Sequence, residues 1–184
     1  MKNFDLLLRS GKTVFWYKNL SLLLGSNNDN MLKSYIARAV KQNLLEKVAS
    51  GIYTLHQYDF LELAASMRPM SYISLEAALY GIHDDTSQIS LISNNTLSKK
   101  IWNRDITFFK IKDHILLNPL WLDYTGKYLI ASPERALCDM AYLTWEWLPY
   151  LSQIDLKKLE KISQIYNQTT KNIIKKYIDH AQNR

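Results

Sequence analysis

The chain has 184 residues, of which 47% are hydrophobic and 22% charged, and a formal net charge of +6. This composition excludes wholesale disorder, and the length suits a small module followed by a second compact domain. The lone cysteine, Cys138, excludes a disulfide framework and any metal site built from several thiolates, and no run approaches the roughly 18 apolar residues that span a bilayer.

In chain order, Asn3–Ser10 suits a short opening helix stopped by Gly11. Phe15, Trp16, Leu20, Leu23 and Leu24 then recur at helical spacing, which predicts a helix over Thr13–Gly25. The polar cluster Ser26–Asn30 supplies capping side chains. From Met31 the helical period resumes, with Leu32, Tyr35, Ile36, Ala39 and Val40 on a buried face and Lys33, Ser34, Ala37, Arg38 and Lys41 opposite. Two strand-like runs, LLEKVA and IYTLH, flank Ser50-Gly51 as a hairpin, and Asp59–Arg68 reads as a helix before a boundary at Pro69. Helix, turn, helix and hairpin in that order predict a winged helix-turn-helix over residues 1–68.

Residues 69–184 read as mixed α/β: a helix over Ser74–Tyr80 ended by Gly81, strands at Gln88–Ser93, Ile106–Lys112 and Lys127–Ala131, a helix from Pro133, and two C-terminal helices. The expected class is therefore α+β. The opening residues Met1–Gly11 lack the apolar core of a signal peptide, and with one cysteine the expected compartment is the cytoplasm.

Between residues 9 and 47, Arg9, Lys12, Lys18, Lys33, Arg38, Lys41 and Lys47 face only Asp29 and Glu46, so most of the net charge is N-terminal and suits a polyanionic partner. A helix-turn-helix lays its second helix in the major groove, with N-terminal residues near base edges and flanking cations on phosphates. That nominates Asn28, Asn30, Lys33 and Ser34 for groove contacts, Arg38 and Lys41 for phosphates or one reaching base contact, and Lys47, Ser50 and Tyr53 for the wing. The bland reading of the same face is solvation. The aromatics Trp16, Tyr17, Tyr35 and Tyr53 admit stacking on single strands, but their spacing favours core membership for Trp16 and Tyr35.

Catalytic readings find less support. Ser132-Pro133-Glu134 is what a strand-to-helix corner requires, with Ser132 as cap. His83-Asp84-Asp85 is the local cluster with metal-binding composition, and an exposed loop explains it equally well. A nuclease would need Asp84 or Asp85, Asp105 or Glu134, and Lys110 or Lys112 to converge. Cys138 lies among Leu137, Ala141 and Tyr142 and reads as a small buried hydrophobe. The expectation is a protein without catalytic residues, cofactor or metal.

The runs LKSYIARAVKQNLLEKVASGIYTL, SYISLEAALYGI and YLIASPERALCDMAYL, in this order across roughly residues 13–145, resemble the AbiEi-type antitoxins of type IV toxin-antitoxin systems. The resemblance implies a winged-helix domain that represses its own operon by binding double-stranded operator DNA. It further implies an antitoxin domain, here 69–184, that counters a nucleotidyltransferase toxin encoded alongside, with or without a direct complex. Where the family often carries a basic wing turn this chain has Ala49-Ser50-Gly51, leaving Lys47 as the wing's main cation. A monomer without a membrane partner is the expected state, and a stand-alone winged-helix regulator with a ligand- or partner-sensing domain is the alternative.

Overall fold

A computed structural model describes residues 4–26, 28–81, 88–102, 104–143 and 148–183. The chain is α+β and divides into two compact units, Met1–Met67 and Arg68–Arg184. No helix among the described residues is long and apolar enough to cross a membrane.

The first unit runs α1 (Phe4–Arg9), β1 (Val14–Trp16), α2 (Tyr17–Leu23), α3 (Asp29–Lys41), β2 (Glu46–Ala49), β3 (Ile52–Thr54) and α4 (Phe60–Ser66). Its antiparallel sheet has the order β1-β3-β2. Strand β1 corrects the expected helix over Thr13–Gly25, because Val14, Phe15 and Trp16 pair with Thr54, Tyr53 and Ile52. A β-branched and aromatic triplet pairs well across a pleated surface, and that long-range pairing overrides a helical spacing carried by only two of its residues. A buried carboxylate fixes the strand. Glu62 of α4 accepts from the Thr13 backbone N–H (3.0 Å), the Thr13 hydroxyl (2.6 Å) and the Val14 N–H (3.3 Å).

Leu7, Phe15, Leu20, Leu32, Ile36, Ala39 and Leu45 form this unit's core, so α1, α2 and α3 share one apolar interior. Fully burying each large side chain contributes about 1.5–3 kcal/mol. Between β2 and β3, Gly51 adopts φ +72°, a conformation that glycine takes without steric cost and that closes the hairpin after exposed Ser50. A bulge between Lys47 and Ala49 shifts the register on β2.

The second unit contains β4 (Ser71–Ile73), α5 (Leu75–Tyr80), β5 (Gln88–Ser93), β6 (Leu97–Ile101), β7 (Arg104–Lys110), α6 (Asp113–Leu116), β8 (Leu122–Tyr124), β9 (Leu129–Ala131), α7 (Pro133–Tyr142), α8 (Leu156–Ser163) and α9 (Gln168–Gln182). The mixed sheet has the order β6-β7-β5-β4-β9-β8, with β5–β7 and β4–β9 parallel. Five consecutive residues of central β5, Ile89–Ser93, are buried, as expected of a strand covered on both faces. Edge strand β6 instead exposes Ser98, Lys99 and Lys100. Helix α7 packs against α5, α8, α9 and β9, and the core there joins Tyr72, Ile92, Ala131, Leu137, Leu159, Ile162 and Ile174.

Candidate nucleic-acid interface

Helix α3 exists because Leu32, Ile36 and Ala39 repeat at the spacing that buries one stripe, and because Asn28 caps it. The Asn28 side chain accepts from the backbone N–H groups of Asn30 (3.0 Å) and Met31 (3.1 Å), filling two of the four donors a helix start leaves open. The carbonyl of this residue, nominated for groove contacts, is thus committed to the helix. Replacing Asn28 with alanine is expected to cost the first unit about 1 kcal/mol, whereas Asn28→Asp retains the cap. Thermal unfolding of the full chain, followed in this unit, separates the two variants; equal losses would remove the capping role.

The opposite face of α3 exposes Asn30, Met31, Lys33, Ser34, Ala37, Arg38 and Lys41. Met31 is 67% exposed, an apolar side chain amid polar ones at the helix start. Arg38 turns back along the helix and donates from Nε to the Ser34 carbonyl (3.2 Å), a bond that does not use its two terminal nitrogens. Beside this face lies an open groove of about 660 Å³ whose lining includes Leu24, Ser26, Met31, Ser34, Tyr35 and Arg38. Tyr35 is half-buried, and its hydroxyl has no hydrogen-bond partner among the described residues.

Lys33 is not a free cation. Its Nζ pairs with Oδ2 of Asp29 one turn earlier, and the other carboxylate oxygen, Oδ1, accepts from the Tyr17 hydroxyl of α2. Lys33 and Tyr17 together hold the Asp29 carboxyl below the usual carboxylate range. The same hydrogen bond pushes the Tyr17 phenol up to about 12, since ionising it would set a phenolate against the carboxylate. The spacing of Asp29 and Lys33 by four is legible in the sequence, but nothing local signals that Tyr17 closes the chain.

Lys41, at the end of α3, and Lys47, on β2, are exposed, as is Ser50 in the hairpin turn. A second open groove of about 770 Å³ separates the end of α3 from the hairpin and is lined by Val40, Asn43, Leu45, Glu46, Lys47 and His56. Tyr53, on β3, is half-buried, and the nine nominated residues therefore lie on one helix with its cap and on the hairpin following it. They differ in role: Asn28 positions, Lys33 is neutralised, and Arg38, Lys41 and Lys47 remain exposed cations.

In the second unit Arg135 and Asp139 are buried and face one another among hydroxyls and carbonyls, with Arg135 Nε the one buried side-chain nitrogen among the described residues that makes no hydrogen bond. Arg135 is 0% exposed and donates to the carbonyls of Ile115 (2.7 Å) and Leu120 (3.1 Å) and to the Tyr72 hydroxyl (3.1 Å). Its Nε stands 3.6 Å from Asp139 one turn on, and its guanidinium lies over the rings of Tyr72 and Tyr166. Asp139, also 0% exposed, accepts from the hydroxyls of Tyr166 (2.6 Å), Ser74 (2.7 Å) and Tyr72 (3.0 Å). Burial pushes its carboxyl above the usual range, against the pull of Arg135 and the three hydroxyls.

Ser132 caps α7 at the Arg135 N–H (3.3 Å) and donates to Glu134 (2.8 Å), which also pairs with Lys158 (2.8 Å). Cys138 is fully buried, and burial pushes its thiol well up, away from the reactive thiolate. Asp105 and Lys110 sit near opposite ends of β7, about 17 Å apart at strand rise, so they do not share one site. His83, Asp84 and Asp85 lie outside the described residues. Among the described residues no group of three or more His, Cys, Asp or Glu is placed to hold a metal ion.

The chain matches no known family model and no curated protein. The two units differ in what they offer. The first offers an exposed face carrying Arg38, Lys41 and Lys47; the second offers an internal ionic cluster that suits structural support.

Proposed function

We propose that the chain is a DNA-binding autorepressor and antitoxin of the AbiEi type, with residues 1–68 acting as a winged helix-turn-helix and 69–184 as the antitoxin domain. The observation that carries the first half is the exposed face of α3, where Asn30, Ser34, Arg38 and Lys41 stand clear of the core and Lys47 projects from the hairpin immediately after it. Helix α2, the turn and α3 followed by a two-stranded hairpin is the order such a module requires. Arg38 can give a bidentate contact to guanine or hold a phosphate, Asn30 suits adenine, and Lys41 and Lys47 suit the backbone. The second half rests on the resemblance carried by SYISLEAALYGI and YLIASPERALCDMAYL. The chain acts as a monomer on repeated sites, binds rather than catalyses, and opposes a nucleotidyltransferase toxin from a neighbouring gene.

Two measurements on the full chain test this. Fluorescence anisotropy should show salt-sensitive binding that favours DNA upstream of its own gene over an unrelated duplex; no preference overturns the repressor half. Co-expression with the neighbouring gene product should restore growth. Persistent toxicity with the chain well expressed overturns the antitoxin half, and a preference for upstream DNA would then favour a regulator whose second unit senses a ligand or partner.

A further inference from the structure

The N-terminal turn of α3 carries a carboxylate where a nucleic-acid surface ordinarily gains from having none. Asp29 neutralises Lys33, the first cation of the exposed face, and is itself tied to α2 through Tyr17. Resting on the DNA-binding reading, we infer that Asp29 withholds Lys33 from DNA phosphates and so acts as a built-in brake on indiscriminate polyanion binding.

Three features support the brake. The acid precedes the base by four residues, the more favourable orientation for such a pair on a helix, and it sits in the first turn, where the helix dipole also favours negative charge. An exposed pair of this kind gains little in water, so its value to stability is small. Its value lies in charge. A phosphate approaching Lys33 meets a carboxylate bonded to the same ammonium, so attraction and repulsion nearly cancel. The Tyr17 hydroxyl holds the carboxylate from the far side, which prevents it from swinging away to free the lysine. Lys33 and Asp29 are each about three-fifths exposed, so both lie where an approaching duplex would meet them.

The consequence is countable. Each phosphate contact contributes about 0.9 to the slope of log affinity against log salt on duplex DNA. With Lys33 withheld, the unmodified chain should show the slope of its other cations alone. Asp29→Asn in the full chain keeps the Asn28 cap, frees Lys33, and should steepen the slope on a random-sequence duplex by about 0.9, equal to roughly fivefold tighter binding at 0.15 M salt. Adding Lys33→Gln to Asp29→Asn should return the slope to that of the unmodified chain.

Anisotropy titrations of these three proteins over a salt series give the answer. An unchanged slope in Asp29→Asn would mean that Lys33 already reaches a phosphate, and a steepening that survives in the double variant would mean that Lys33 is not the cation released; either overturns the brake. Circular dichroism shows whether each variant is folded. Because the probe is a random duplex, a missing preference for upstream DNA would overturn the repressor reading without touching this result, whereas absence of salt-sensitive binding in all three proteins overturns both.

Discussion

Arg135→Met is expected to lower the stability of the second unit by about 3–5 kcal/mol, the cost of leaving a carboxylate buried without its countercharge. Asp139 has no exposure and no other cation within pairing distance among the described residues, so removing Arg135 strands a charge that three hydroxyls alone must hold. The variant also removes the guanidinium from the carbonyls of Ile115 and Leu120, of which Ile115 keeps the Asn118 N–H (3.2 Å). Calorimetry of the full chain should resolve the second unit's transition and show its midpoint falling by roughly 10–20 °C. Combining Arg135→Met with Asp139→Asn should recover part of the loss, because no charge is then stranded. A loss below about 1 kcal/mol in the single variant would mean that Asp139 is neutral in the folded protein.

The reach of this cluster explains the size of the effect. Arg135 and Asp139 lie on α7, Tyr72 on β4, Ser74 at the start of α5 and Tyr166 just before α9, so one ion pair and its hydroxyls join four parts of the unit. Leu75, next to Ser74, opens α5 at φ +57°, a conformation leucine ordinarily avoids, and the bonded Ser74 hydroxyl helps to hold the chain there. The corner is tied to Asp139 and not to Arg135, so in Arg135→Met it stays held while the charge is stranded.

The second large effect concerns the first unit. Replacing Arg38, Lys41 and Lys47 together with alanine should flatten the salt dependence of DNA binding by about 2.7 and weaken binding about 100-fold at 0.15 M salt. All three side chains are exposed, so the unit's melting temperature should barely move. Weakening confined to the upstream sequence, with the salt slope unchanged, would show that these residues read bases and do not hold phosphates. No change in either quantity would place the DNA surface elsewhere.

Local physics made the strong elements of this protein legible in its sequence. The period of Leu32, Ile36 and Ala39 located α3, Ser50-Gly51 located the hairpin, and Ser132-Pro133 located the start of α7, because each signal is complete within a few residues. Strands β4, β6 and β8 carry no complete local signal, for a shared reason. Two have three residues, too few to show alternation, and β6 has its side chains set by edge exposure rather than by a core. Strand β1 falls inside an expected helix because its pairing partner lies about forty residues away. The cluster around Arg135 and Asp139 was spaced legibly at four residues, but its burial depends on Tyr72 and Tyr166, distant in sequence.

The lysines of β6 bear on how the protein behaves when crowded. An outer strand offers unpaired backbone groups on which another chain can template, which is the usual route to fibrillar aggregation. Successive side chains on a strand point to opposite faces, so Lys99 and Lys100 set a charge on each face of this rim, and an incoming strand must desolvate one whichever way it stacks. The opposite rim, β8, spans three residues with Asp123 at its centre. Both ends of the sheet therefore resist extension, and the second unit gains solubility from residues that add nothing to its core.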